Sequence, residues 1–207
     1  VILACICFAA LFAPWLAPYD PLEQHLLERR RPPSIGHPLG LDELGRDNLS
    51  RVIYGARLSL QVGTVSVLLG VAAGAPLGAI AGYRGGLLDA LITSLVDMTL
   101  AFPTLLLAIS VVVILGRGLT NVMYAVALTQ APTYARLMRV GVLMTKETDY
   151  VLSARAIGTS PIHLLYRHIL PNCLIPLRTQ AMLEIGTAIL ETTGLSFLGL
   201  GAQPPTP

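Results

Sequence analysis

The sequence predicts an all-α, polytopic membrane helix bundle, and three observations carry that prediction. Of its 207 residues, 54% are hydrophobic and 13% are charged, about half the charged share of a soluble domain. Mean hydropathy is +0.67, which also excludes a disordered chain. The apolar residues are gathered into uncharged runs approaching or exceeding the roughly 20 needed to cross a bilayer. Polar segments separate those runs.

In chain order, Val1–Ala17 carries no charge and supplies most of a first span. Trp15, Pro14 and Pro18 stand where a signal peptide would have small cleavage-site residues, so the run reads as a membrane anchor, residues 1–18. Residues 19–57 are polar, with six Arg and six acids, and read as a loop. Leu58–Tyr83 is uncharged for 26 residues, Met98–Gly116 for 19 and Gly118–Ala135 for 18. Arg136–Arg178 is polar again. Thr179–Gly201 is apolar apart from Glu184 and Glu191. Five spans follow. The chain opens without Met and stops just after an apolar stretch, so it reads as a fragment lacking both ends.

Orientation stays open on charge alone. Residues 19–57 hold six Arg, and 136–178 hold five Arg and one Lys, so the positive-inside rule barely discriminates. A net charge of +2 without a long basic run argues against nucleic acid as a partner. Cys5, Cys7 and Cys173 give neither a disulfide framework nor metal spacing.

Within the second span, Gly70, Gly74, Gly78 and Gly82 recur every four residues. They form one stripe on a helix, a surface that admits close approach of a neighbouring helix. Pro76, Pro103 and Pro132 are expected to bend the second, third and fourth spans.

Between the fourth and fifth spans, Asp149–Ile157 reads as a short helix with Thr148 as its N-cap and Gly158 as its C′ residue. Ser160 reads as the cap of a second helix with Pro161 at N1, ended by Pro171. Ile162, Leu165, Tyr166 and Ile169 fall on one stripe. Physics alone leaves two readings: an interfacial helix resting on headgroups, or a protrusion that docks into a groove on a soluble partner.

Ala154-Arg155-Ala156-Ile157-Gly158-Thr159-Ser160-Pro161, followed by His168-Ile169-Leu170-Pro171-Asn172, resembles the EAA loop of binding-protein-dependent ABC importer permeases. That loop reads Glu-Ala-Ala, three residues, Gly, nine residues, Ile-x-Leu-Pro. Ala154, Gly158, Leu170 and Pro171 match it, while Leu152, Ser153 and His168 replace the Glu, the first Ala and the Ile. The segments around His37–Asp47, Gly55–Leu60 and Leu195–Pro207 are similar to the dipeptide/oligopeptide/nickel branch, so the resemblance covers nearly the whole chain.

The resemblance implies a type I ABC importer transmembrane fold with five of about six spans present. It implies two ABC ATPase subunits, a second related permease subunit, and a periplasmic or lipid-anchored substrate-binding protein, in a bacterial or archaeal cytoplasmic membrane. Residues 149–170 would be the cytoplasmic coupling segment, with Tyr150, Val151, Leu152, Ala154, Arg155, Ile157, Gly158, Ser160 and Pro161 coupling to the ATPase. Residues 19–57 would then be extracytoplasmic, and 58–207 the transmembrane domain. With Leu152 in place of the Glu, the resemblance no longer implies one ionic contact to the ATPase, while the helix–Gly–helix shape is kept. Peptides are the expected cargo and nickel the alternative.

Asp97, Glu184 and Glu191 are candidates for the translocation path or a subunit interface, because acids within a bilayer are costly. His37, Asp42 and Asp47 read as a tightly turned loop rather than a metal site, and no metal or cofactor is expected. The phosphate-cradling G-x-x-x-x-G-K-[ST] sequence is absent, so ATP hydrolysis falls to another chain. An ion-coupled secondary transporter would need inverted repeats, which are not visible. An intramembrane enzyme would need a nucleophile and base, and no such motif occurs.

Overall fold

The computed structural model describes residues 2–201, with side chains from Cys7 onward. The described residues are helical throughout, apart from loops and a single bridge between Leu41 and Asp47. They divide into two compact units, one ending at Val62 and the other spanning Gly63–Gly201.

The first unit opens with α1 (Ile2–Leu11) and a short α2 (Ala13–Leu16). The expected single first span is therefore interrupted at Phe12, just before Pro14 at the start of α2. The loop that follows is tied by carboxylates. Asp47 Oδ2 accepts from the Ser50 N–H and hydroxyl, both at 2.8 Å, and so caps the next helix. His37 Nδ1 lies 3.0 Å from the other Asp47 oxygen. Asp42 accepts from Arg46 at 2.8 Å and Arg51 at 2.7 Å. The three residues weighed as metal ligands thus hold turns together. Burial pushes both aspartates up, but donors outweigh it: backbone and guanidinium N–H groups at Asp42, and Ser50 and His37 at Asp47. Both stay below the ordinary carboxylate value.

Helix α3 (Asn48–Arg84) runs 37 residues. At 1.5 Å per residue it is about 55 Å long, well beyond the roughly 30 Å hydrocarbon core. Helix thus begins ten residues before the expected loop boundary, because Asp47 caps it there. Its first part, to Val62, belongs to the first unit and the rest to the second.

The second unit continues with α4 (Gly86–Leu100) and α5 (Thr104–Leu115). These meet at 96° across Ala101–Pro103. The uncharged run Met98–Gly116 is consequently not one straight span. Pro103 supplies no N–H and disfavours a helical residue before it, which ends α4. Asn121 then holds the last carbonyls of α5, bonding Leu115 O at 2.9 Å and Gly116 O at 3.0 Å. Helix α6 (Leu119–Thr145) is the hub, with α4, α5 and the last helix, Leu170–Phe197, packed on it. Pro132 lies inside α6, as Pro76 lies inside α3.

Among the described residues, two helices are long and apolar enough to cross a membrane, α3 and the run Pro161–Phe197, or three if the bent α4–α5 pair counts as one span. Of the five spans expected from uncharged runs, not all are present as single long helices among the described residues, and the bend expected at Pro103 is present as the 96° break between α4 and α5. The runs were counted by charge, and a bend or a break leaves charge unchanged.

Candidate functional site

The glycine stripe lies on α6. A Cβ at Gly70 would stand 3.1 Å from the Ala127 carbonyl, and one at Gly82 would stand 2.7 Å from the Arg139 carbonyl. At Gly74 and Gly78 it would collide with the carbonyls of Ala131 and Ala135. The two helices meet backbone to backbone along three turns. Lys146 Nζ closes the end of the seam by bonding Gly82 O at 3.1 Å.

Beyond the seam lies the segment between α6 and α9. Helix α7 (Asp149–Ala156) is followed by Gly158, the short α8 (Pro161–His163) and a π-helical turn at Leu164–Ile169. Then α9 (Leu170–Phe197) continues without interruption. Gly158 has φ +84°, the left-handed conformation that ends a helix cheaply only with glycine. A Cβ there would meet nothing within 4 Å, so conformation rather than space demands the glycine.

Several local expectations are corrected here. Neither Thr148 nor Ser160 caps with its side chain. The Thr148 hydroxyl turns back to Thr145 O at 2.6 Å. Pro171 does not stop the helix but sits in the first turn of α9. The wide π-turn before it re-routes the hydrogen bonds, so the missing N–H is tolerated. The buried pair is Leu164 and Ile169, at 2% and 0% exposed, while Ile162 and Tyr166 of the expected stripe face outward. In an i→i+5 turn, residues five apart share a face, and a 3.6-residue period misses that.

Of the residues proposed to touch an ATPase, Val151 and Ala154 are buried in the core and anchor α7. Tyr150, Leu152 and especially Ile157 are exposed, as are Arg155 and Pro161. Ser160 is exposed too. The segment is braced from both sides. The Tyr83 hydroxyl donates to Pro161 O at 3.0 Å, and Asn172 Nδ2 donates to the Tyr150 hydroxyl at 2.9 Å. What results is a held protrusion whose outer face carries Ile157, Ile162 and Tyr166.

The acids fall in two places. Glu184 is half-buried and accepts from Gln180 at 2.9 Å. Glu191 has one carboxylate oxygen buried without a protein partner, as do the side chains of Gln130 and Tyr134 on α6. Asp97 lies elsewhere, on α4, paired with Arg136 of α6 at 2.5 Å. Next to it Asp89 binds Arg139 through two bonds, of 2.5 and 2.7 Å. The sequence reading missed both arginines. The signal was present: Asp89 and Asp97 are eight apart, Arg136 and Arg139 three apart, so each pair shares a helix face.

Comparison with known proteins now places the chain. Residues 74–207 match the model for the binding-protein-dependent transport system inner membrane component, and residues 1–33 match the N-terminal TM domain of oligopeptide transport permease C. The chain belongs to this family of inner-membrane transport permeases. The permease is 48% identical over 98% of its length to the di/tripeptide transport system permease protein DppC of Pseudomonas aeruginosa, covering 69% of that relative. It is 46% identical over 98% of its length to the dipeptide transport system permease protein DppC of Haemophilus influenzae, covering 70%. It is also 46% identical to the glutathione transport system permease protein GsiD of Escherichia coli, over 96% of this chain and 66% of that one. In fold the permease is similar to the MetNI methionine ABC transporter in an inward-facing conformation, with TM-score 0.62 and 22% identity over 70% of this chain and 73% of the other. It is a multi-pass inner-membrane transport component with bacterial relatives, and not itself an enzyme.

Proposed function

We propose that this chain is a permease subunit of an ATP-driven importer that carries di- or oligopeptides across the cytoplasmic membrane. The observation that carries the cargo is the 48% identity to a di/tripeptide permease, sustained over 98% of the chain. The fold would be that of a type I importer, with five of about six spans contributed by these residues. Residues 149–170 face the cytoplasm and 19–57 the outside. A second, related permease covers the open face of α9, where Leu174, Met182, Leu183 and Leu190 are exposed. Lipid covers the remainder. A binding protein delivers the peptide, and two ATPase subunits supply the work.

The coupling reading rests on shape. A protrusion transmits force only if it is braced and its outer face can be gripped. Tyr83, Tyr150 and Asn172 brace it, and the exposed Ile157, Ile162 and Tyr166 offer the apolar grip. Closure of the ATPase dimer would push on this patch. Because α9 is continuous with the π-turn, the push reaches the membrane directly. The glycine seam gives α3 and α6 two packed surfaces that move together rather than deform.

Uptake of labelled dipeptide by vesicles holding the full importer, with and without ATP, tests the reading. ATP-dependent uptake is expected. Accumulation driven by an ion gradient and indifferent to ATP would overturn it.

A further inference from the structure

The two ion pairs between α4 and α6 differ in a way that their chemistry does not require. Arg139 meets Asp89 through two bonds, and Thr93 Oγ1 adds a third to the same carboxylate at 3.2 Å. Its side chains are 29% and 17% exposed. Arg136 meets Asp97 through a single bond, with side chains 56% and 54% exposed. The first pair is bidentate, backed by Thr93 and largely covered. The second has donors and acceptors to spare and is open to an incoming group.

The open pair borders a cavity of about 310 Å³ between the two helices, at the lower end of the roughly 300–1,000 Å³ range of small-molecule sites. Its other walls are mainly apolar: Ile92, Val96, Ala135, Val140 and the bare backbone of Gly78. A second, wider concavity shares Thr93, Asp97 and Arg139 with the first. Asp97 therefore stands where the two join.

We propose that this cavity is a peptide subsite in the permease: Arg136 takes the ligand carboxylate, Asp97 takes its ammonium, and an apolar side chain occupies the cavity. The proposal rests on the peptide-importer reading above and names the place where the permease itself touches cargo. Charge complementarity selects the ligand. A lone anion would compete for Arg136 and strand Asp97, and a lone cation would strand Arg136, each costing one charged group the partner it now has. A zwitterion replaces one ion pair by two, so net charge is unchanged and every charge keeps a partner. The Arg139–Asp89 pair beside it holds α4 to α6 while the exchange takes place.

The test uses the complete importer in vesicles with its own binding protein, so that selection upstream of the permease is constant. Labelled dialanine, N-acetyl-dialanine and dialanine amide are offered separately. Asp97→Asn is expected to lower dialanine uptake about tenfold, the loss of one charged hydrogen bond, while uptake of the N-acetyl probe is unchanged. Arg136→Gln is expected to do the same relative to the amide probe. Equal loss for all three probes would assign the pair a structural role and overturn the proposal, as would no loss for any. Val140→Trp gives an independent arm that leaves the charges intact. It is expected to depress diphenylalanine uptake far more than diglycine uptake, and equal depression would overturn the proposal. A wild-type importer that moves dialanine without ATP would instead overturn the importer reading, and the subsite with it.

Discussion

Gly78 and Gly158 are both glycines that a side chain would spoil, and for opposite reasons. At Gly78 the backbone is helical and unstrained, but the Ala135 carbonyl occupies the space a Cβ would need. At Gly158 there is open space on every side, but φ is +84°. The first is a packing constraint in the membrane part of the fold, and the second is a conformational constraint in the protrusion. A stripe read from sequence as small residues and a lone Gly read as a helix end thus do different physical work, and different substitutions should separate them.

The largest effect is expected from Gly78→Leu. It forces α3 off α6, with a cost at the upper end of overpacking, about 3 kcal/mol. The expected outcome is loss of folded permease from the membrane, checked by its abundance and its thermal aggregation in detergent. Arg139→Gln comes next, because it leaves Asp89 with Thr93 alone at the same α4–α6 contact. A loss of about 2 kcal/mol is expected, seen as a lower midpoint in the same thermal assay. Gly158→Ala should cost about 1–2 kcal/mol locally. It should lower uptake while leaving abundance near normal, and Gly158→Asn should recover part of the loss, since Asn tolerates the left-handed region. Crowding would rank Asn below Ala, so the order of the two variants separates conformation from space. Gly55 of α3 has nothing near it and a helical conformation, so Gly55→Ala should stabilise by roughly 0.5–1 kcal/mol. A thermal midpoint that moves up at Gly55 and down at Gly78 would show that glycine content alone explains neither.

The smallest effect concerns acid. Asp42 and Asp47 are held below the ordinary carboxylate value of 3.8 by their donors, against burial. Groups of depressed pKa add stability above their unfolded value and lose it as pH falls through the folded one. Protease sensitivity of the loop before α3 should therefore be flat from neutral pH down to the ordinary carboxylate value and rise only below it.

What could be read from sequence follows from what periodicity reports. The helical class came from long uncharged runs. Both long helices begin or end beyond those runs, because Asp47 caps α3 and a π-turn feeds α9. Gly70, Gly74, Gly78 and Gly82 marked a seam, but only the fold names Ala131 and Ala135 as its other side. In the segment 149–170, Gly158 and its neighbours were legible by pattern. The buried roles of Val151 and Ala154 were not, since a short helix of mixed composition does not declare which side is covered. The π-turn escaped because Leu164 and Ile169 share a face only when the turn widens. Arg136 and Arg139 were counted as loop charge. Their partners lie 39 and 50 residues away; the spacings put each pair on one helix face, but a single sequence does not say that the two faces meet.

We propose that the braced protrusion around Gly158 transmits ATP-driven work to the membrane helices. The most direct test measures ATP turnover and peptide uptake side by side in complexes carrying wild-type permease and Gly158→Trp. The variant complex is expected to assemble and still hydrolyse ATP, while peptide uptake is lost and loaded binding protein no longer stimulates turnover. Uptake at the wild-type rate, with stimulation intact, would contradict it.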